Sequence, residues 1–295
     1  MLSSTARADE PAPLRVKFTK GQTLRYLMTL ETRMHVTGEG RDITQTMVND
    51  TIFTWKVLNV SPEGLATIEQ ANERSRLAMK NPGLEIDLDT AKPADDTEGE
   101  LPEELTAVTD GLRKMVGKPI ELTVNPRGEI ETIHFSQELL DAIGMTQEFM
   151  QFGFKRDKPL KRLGELGLIA LPAKPLAVGQ SAEEAKSVHS PLAGEDLNYV
   201  FKYTRKPAQV VDRREVAHVD YALNFDPASV KAMGATKYEL SGSVFVDQQP
   251  GTIVKIDARQ MLVAGRGEIE NEQTVTRTTR LLAEDEDPFA EKPGG

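Results

Sequence analysis

The sequence predicts a mainly β protein with a smaller helical part (α+β): a large curved antiparallel sheet, or half-barrel, in two β-meander halves, with two helices between them or packed on the sheet. Three observations predict it. Long segments alternate apolar and polar residues with a period of two, short turn signals separate these segments, and only two stretches carry a helical period.

The first long segment places Leu24, Tyr26, Met28, Leu30, Met34 and Val36 on one parity, interrupted by Thr32. That is the pattern of a strand with one buried face. After the turn signal Gly38-Glu39-Gly40-Arg41, Ile43, Met47, Phe53, Trp55 and Val57 share one parity of the next strand. Three further turns are legible: Ser61-Pro62-Glu63-Gly64, Asn125-Pro126-Arg127-Gly128, and Asp247 to Gly251 with Pro250. In the first two, proline stands at the second position, where its preset φ fits, and glycine closes the turn, where positive φ is tolerated. Strands joined this way form antiparallel meanders.

The first helix is expected over 102–116. Pro102 suits its first turn, Glu103 and Glu104 its positive end, and Arg113 and Lys114 its negative end. Leu105, Val108, Leu112 and Met115 make the apolar stripe, and Gly117 stops it. The second is expected over 136–152, with Ser136 as N-cap and Leu139, Leu140, Ile143, Phe149, Met150 and Phe152 on its apolar side. Residues 155–165, rich in Lys and Arg, read as an exposed connector, and Leu171-Pro-Ala-Lys-Pro175 opens the second β half.

Gly21-Gln-Thr resembles Gly179-Gln-Ser181, and Ala66-Thr-Ile68 after its turn resembles Val216-Ala-His218 after its own. This is either a weak internal repeat or the monotony of a meander.

The net charge of −10 is unevenly spread. Residues 84–104 hold nine acids against one base, and 284–295 hold five against one. The remainder is near neutral and shows no basic stripe, so no nucleic-acid partner is expected. Cysteine is absent, which excludes thiol catalysis, disulfides and Cys-ligated metals. No apolar run reaches about 18 residues, so no transmembrane segment is expected. Ala6-Arg7-Ala8 before Asp9-Glu10-Pro11 has the form of a signal-peptidase site. The expected organisation is a signal-peptide remnant at 1–8, a single β-rich domain at 9–283, and a disordered acidic tail at 284–295. Within the domain lie a β half at 12–134, containing an acidic loop 84–101 and the first helix, a helical bridge at 135–165, and a β half at 166–283. The protein is therefore read as exported: periplasmic, cell-envelope or secreted.

Catalytic signals are weak. His35, His134, His189 and His218 have no two-ligand spacing. His134 and Glu138 are four apart at a strand-to-helix junction but lack a nucleophile. Ser241-Gly-Ser243 lacks the strand–turn–helix context of a nucleophile elbow. No phosphate loop or dinucleotide fingerprint is present, so no cofactor is expected. Asp87 and Asp89, with Asp95 and Asp96, lack the calcium-loop pattern and read better as a solvated loop.

Methionine and phenylalanine gather in particular elements. Met28, Met34, Met47 and Trp55 on the early strands, with Met145, Phe149, Met150 and Phe152 on the second helix, are the candidate lining of an apolar pocket. The plainer alternative is that this helix plugs the core. Three functions are weighed: a non-catalytic envelope protein binding an apolar small molecule or a lipidated partner, a structural or interaction module, and an uncharacterised hydrolase using His134 and Glu138.

Four stretches carry a resemblance: Phe18-Thr-Lys-Gly21 to Tyr26, Thr54-Trp55-Lys-Val57 to Gly64, Met115-Val-Gly-Lys-Pro119 to Gly128, and Leu171-Pro-Ala-Lys-Pro175 to Gly179. Together they resemble a family of exported bacterial proteins known only as a domain of unknown function. Ala182 stands where that family usually has a large aromatic. The resemblance implies an exported, secreted or lipoprotein-type β-rich domain and transfers no catalytic residue. A broader analogy, of fold alone, is to half-barrel envelope carriers of lipids and lipoproteins.

Overall fold

A computed structural model describes residues 13–81, 84–92, 103–142, 170–190, 195–266 and 269–290. The period-two segments form strands β1 (Thr23–Gly38), β2 (Arg41–Val60), β3 (Ala66–Asn81), β4 (Leu84–Asp89), β5 (Pro119–Val124) and β6 (Ile130–Phe135). The second half supplies β7 (Ser181–Ser190), β8 (Glu195–Val211), β9 (Arg214–Phe225), β10 (Lys237–Asp247), β11 (Thr252–Arg266) and β12 (Ile269–Leu281). All twelve lie in one sheet, in the order β6-β5-β3-β2-β1-β12-β11-β10-β9-β8-β7. β4 pairs with the later part of β3, beside β5, which pairs with the earlier part. Each half is a meander, and the two fuse where β1 runs antiparallel to β12, from Tyr26 opposite Leu281 to Thr37 opposite Glu270.

The sheet curls. Its path ends at β6 and β7, yet the β5–β6 turn reaches β7 through an Arg127–Glu184 ion pair of 2.6 Å and a Lys186–Glu129 pair of 2.7 Å. Burial works against ionisation of Glu129, but hydrogen bonds from Lys186 and Asn125 outweigh it and hold its pKa below the usual carboxylate value. Backbone at 171–173 is bound between the two: Leu171 N–H donates to Arg127 O at 2.7 Å, and Ala173 N–H donates to Glu184 Oε1 at 2.7 Å.

The same end is crossed by residues 13–22. Val16 N–H donates to Pro126 O, and Lys17 N–H donates to Gly251 O at 2.9 Å, joining the β5–β6 and β10–β11 turns. Gly251 is required there. Its φ is +70°, and a Cβ would meet the Lys17 nitrogen at 2.8 Å. Beneath this cover the main core packs. Tyr26 stacks on Phe53 at 5.5 Å and meets Trp55 edge-on at 5.3 Å, while Val16, Ile68, Val124 and Val219 fill around them.

The internal resemblance is geometric as well. Gly21 N–H donates to Val57 O, Val57 N–H donates to Gln22 O, and Gln22 Oε1 accepts from Thr19 N–H. Gly179, Arg205, Gln180 and Ala177 reproduce each of these bonds in the second half.

Helix α1 spans Glu103–Met115 and α2 spans Gln137–Ala142; the rest of the helix expected to 152 lies outside the described residues. Leu139 and Leu140 of α2 are buried. A third helix, α3 (Pro227–Ala232), was not anticipated, although Asp226 caps it by accepting from Ser229 N–H at 2.6 Å and Pro227 opens it. Two expectations for the acidic segments are corrected. Residues 84–89, read as the start of a loop, form β4, because Ile86 and Leu88 bury on one face while Glu85 and Asp87 stay outside. Residues 284–290, read as part of a disordered tail, lie on the convex face, where Leu282 and Phe289 pack on Ile52 and Leu27. Among the described residues, no helix is long and apolar enough to cross a membrane.

Candidate ligand-binding face

Register fixes which side chains share the concave face. Leu24, Tyr26, Met28, Leu30, Thr32, Met34 and Val36 stand inward on β1, opposite Trp55, Phe53, Thr51, Asn49, Met47, Gln45 and Ile43 of β2. The four candidate residues on these strands are therefore on one face. Their surroundings differ. Trp55 is buried in the aromatic cluster, with Nε1 donating to Gln70 Oε1 at 2.8 Å. Met28 packs on the same core, and Met47 packs on Leu77, Met79, Ile86 and Leu88. Met34 is half-buried, between Gln45 and Gln273. Met145, Phe149, Met150 and Phe152 lie outside the described residues.

The face thus divides along the strands. Towards the covered end, inward residues such as Val57, Val219 and Ile256 are 1% exposed. Towards the other end, Met34, Val36, Leu262, Tyr238 and Phe225 remain half-buried. Tyr238 meets Phe225 edge-on at 5.0 Å, and burial pushes its phenol up to about 12. This half offers apolar side chains with a few amides among them (Gln45, Gln260, Gln273), the composition of a surface that holds an apolar molecule and orients it.

Midway, Arg277 of β12 stands inward between Leu30 and Ala258. Nothing in the composition singled it out. The signal was its parity: Arg277 shares its face with Leu281 and Val275, so an alternation count anchored on Leu281 places a guanidinium inside.

The convex face carries the polar networks. Asp89 is buried and held by Arg74, whose Nε and Nη2 donate at 2.9 and 2.5 Å, by Arg76 Nε at 3.0 Å and by Ala91 N–H. The Arg74 bond is the main reason that its pKa lies well below the carboxylate range. Phe289 lies over both guanidinium groups, 5.0 and 4.6 Å from its ring centre.

Neither catalytic arrangement considered from the sequence assembles. Glu138 pairs with Lys118, not with His134. Ser243 Oγ donates to Asp220 at 2.7 Å, and the same carboxylate oxygen is 2.8 Å from His218 Nε2, so the acid, not the imidazole, faces the hydroxyl. Among the described residues, no group of three His, Asp or Glu side chains could hold a metal.

No family model and no curated relative matches the chain. Among solved structures, one of lipovitellin, concerned with its lipid–protein interactions, is similar at a TM-score of 0.54 and 11% identity. The similarity covers 94% of this chain but 26% of lipovitellin, so the chain spans about a quarter of that protein's length. At this identity it shows a shared fold and agrees with the half-barrel carrier analogy at that level. The hypothetical lipoprotein YmcC of Escherichia coli (K12) matches 83% of this chain and 85% of its own, at 10% identity and a TM-score of 0.26. A protein of Bacteroides fragilis with a YmcC-like fold matches 92% and 98%, at 9% identity and 0.29. These two likenesses are too slight to carry an argument.

Proposed function

We propose that this is a non-catalytic exported or cell-envelope protein that holds an apolar ligand, either a small molecule or the lipid anchor of a partner, against the open half of its concave sheet. One observation carries the reading: the inward apolar residues are sealed at the covered end but half-buried from Met34 and Val36 across to Leu262 and Phe225. Apolar surface left in a concavity gains stability from any apolar molecule that displaces water from it. The fold shared with lipovitellin, whose solved structure concerns lipid–protein interactions, supports the same reading. Export is supported by the Ala6-Arg7-Ala8 triplet before Asp9-Glu10-Pro11, which has the form of a signal-peptidase site.

Native mass spectrometry of residues 9–295, purified from a bacterial periplasm without detergent, tests it. The expected result is a bound mass that disappears on organic extraction and returns on adding the extract. A clean apo mass with no uptake of added lipids overturns the reading and leaves a partner at an open strand edge as the better account.

A further inference from the structure

Several charged side chains of the sheet are answered among the described residues. Asp89 has Arg74 and Arg76, Arg127 has Glu184, and Glu129 has Lys186. Arg277 is not answered, and it is more deeply buried than Arg205, whose Nη1 also lacks a hydrogen-bond partner. It is 8% exposed, and its Nε and Nη2 are buried with no hydrogen-bond partner. A guanidinium cannot relieve this by losing its proton at any ordinary pH, and a buried cation without an anion is strongly unfavourable.

Its surroundings are shaped rather than merely crowded. Tyr221, Gly242, Ala258, Arg277, Leu30 and Asn49 are successive register partners across β9, β10, β11, β12, β1 and β2. Tyr221 lies flat over Gly242, since a Cβ there would meet the phenol oxygen at 2.4 Å. Its hydroxyl donates to Asp257 O at 3.1 Å and so is already committed. Burial draws the Arg277 pKa down, and Tyr221 is the group that opposes this. The neighbour on the other side of Arg277 is Leu30, and next along its own strand on the same face is Val275. Arg277 thus forms a cationic floor to the half-open apolar surface described above.

We propose that Arg277 receives the anionic head group, a carboxylate or phosphate, of an amphiphile whose apolar tail lies along Val275, Met34 and Leu262 towards the open end. This rests on the proposed apolar-ligand function and narrows it to anionic ligands. The anion supplies the missing partner through two parallel N–H···O bonds to the guanidinium fork, and the half-buried surface takes the tail.

The test is calorimetric titration of the delipidated full chain with dodecanoate, 1-dodecanol, dodecyl phosphate and inorganic phosphate. For the natural sequence, dodecanoate or dodecyl phosphate is expected to bind at least ten-fold tighter than dodecanol, with inorganic phosphate far weaker than either. In Arg277→Leu, the preference for the charged amphiphile should vanish while dodecanol affinity stays within about two-fold. That variant, delipidated, should also melt above the natural protein, because an unanswered charge has been removed. Equal binding of acid and alcohol by the natural protein overturns this inference while leaving the apolar-ligand reading intact. Failure to bind any of the amphiphiles overturns both. Tight binding of inorganic phosphate alone makes the site one for a free anion and overturns the amphiphile. Should Arg277→Leu not fold, Arg277→Gln carries the same comparison.

Discussion

Arg127 Nη2 and Glu184 Oε2 stand 2.6 Å apart, joining a turn at one end of the strand order to the edge strand at the other. Both side chains are about one-fifth exposed, so the pair is neither fully screened nor fully buried. The bond holds the curl of the sheet at its covered end. Arg127→Ala leaves Glu184 without its cation and frees Leu171 O, and should lower unfolding stability by about 2 kcal/mol in urea melts. Hydrogen exchange should show the loss first at the amides of Leu171 and Ala173.

Asp89 should govern the acid limb of stability. Its folded pKa is depressed, so its contribution is whole above the unfolded value of about 4 and is lost as the pH falls below it towards the folded value. Asp89→Asn is expected to destabilise by about 3 kcal/mol at pH 7 and by progressively less as the pH falls below 4. Urea melts of the two proteins at pH 7, 4 and 3 check this. A pH-independent difference would contradict it.

The phenols predict the alkaline limb. Burial raises Tyr26, Tyr203, Tyr221 and Tyr238 above their ordinary value, with Tyr238 pushed up to about 12. Folding favours their neutral forms, so stability is full below the unfolded pKa of about 10 and falls as the pH rises past it. Tyrosinate absorbance from these four should stay low at pH 10.5 in the native protein and appear together with unfolding.

Phe289→Ala should separate the convex strap from the sheet. The ring is buried against Ile52 and Leu282 and covers two guanidinium groups. A loss of about 2–3 kcal/mol is expected. Proteolysis beyond Leu282 should become faster in the variant while the sheet persists.

Much of this architecture is legible in the sequence because it is local. The alternation from Leu24 to Val36 and the turns at Pro62, Pro126 and Pro250 depend on backbone geometry within a few residues. The seam between the halves was not legible, since any meander end offers the same unpaired edge to any other. The acidic segments misled for a related reason. Glu85 and Asp87 mark exposure, and an exposed strand face carries the same charges as a loop, so the buried Ile86 and Leu88 were outweighed. Phe289 was hidden inside an acidic tail in the same way. For the candidate site, parity correctly set Met28, Met34, Met47 and Trp55 on one face, but it could not say that Trp55 lies under the cover made by residues 13–22 while Met34 does not. That distinction depends on Val16 reaching Pro126 across the curl.

The pairing of β1 with β12 sets an order of events. Among the described strands β1 is synthesised first and β12 last, and each has the other along that edge. Until β12 is available, β1 keeps one edge open although its other edge pairs with β2. Such an edge invites pairing with neighbouring chains, and the closure that ends the exposure is the slowest kind, between distant segments. The seam between the two halves is therefore the part of the fold most exposed to mispairing until both of its strands are in place.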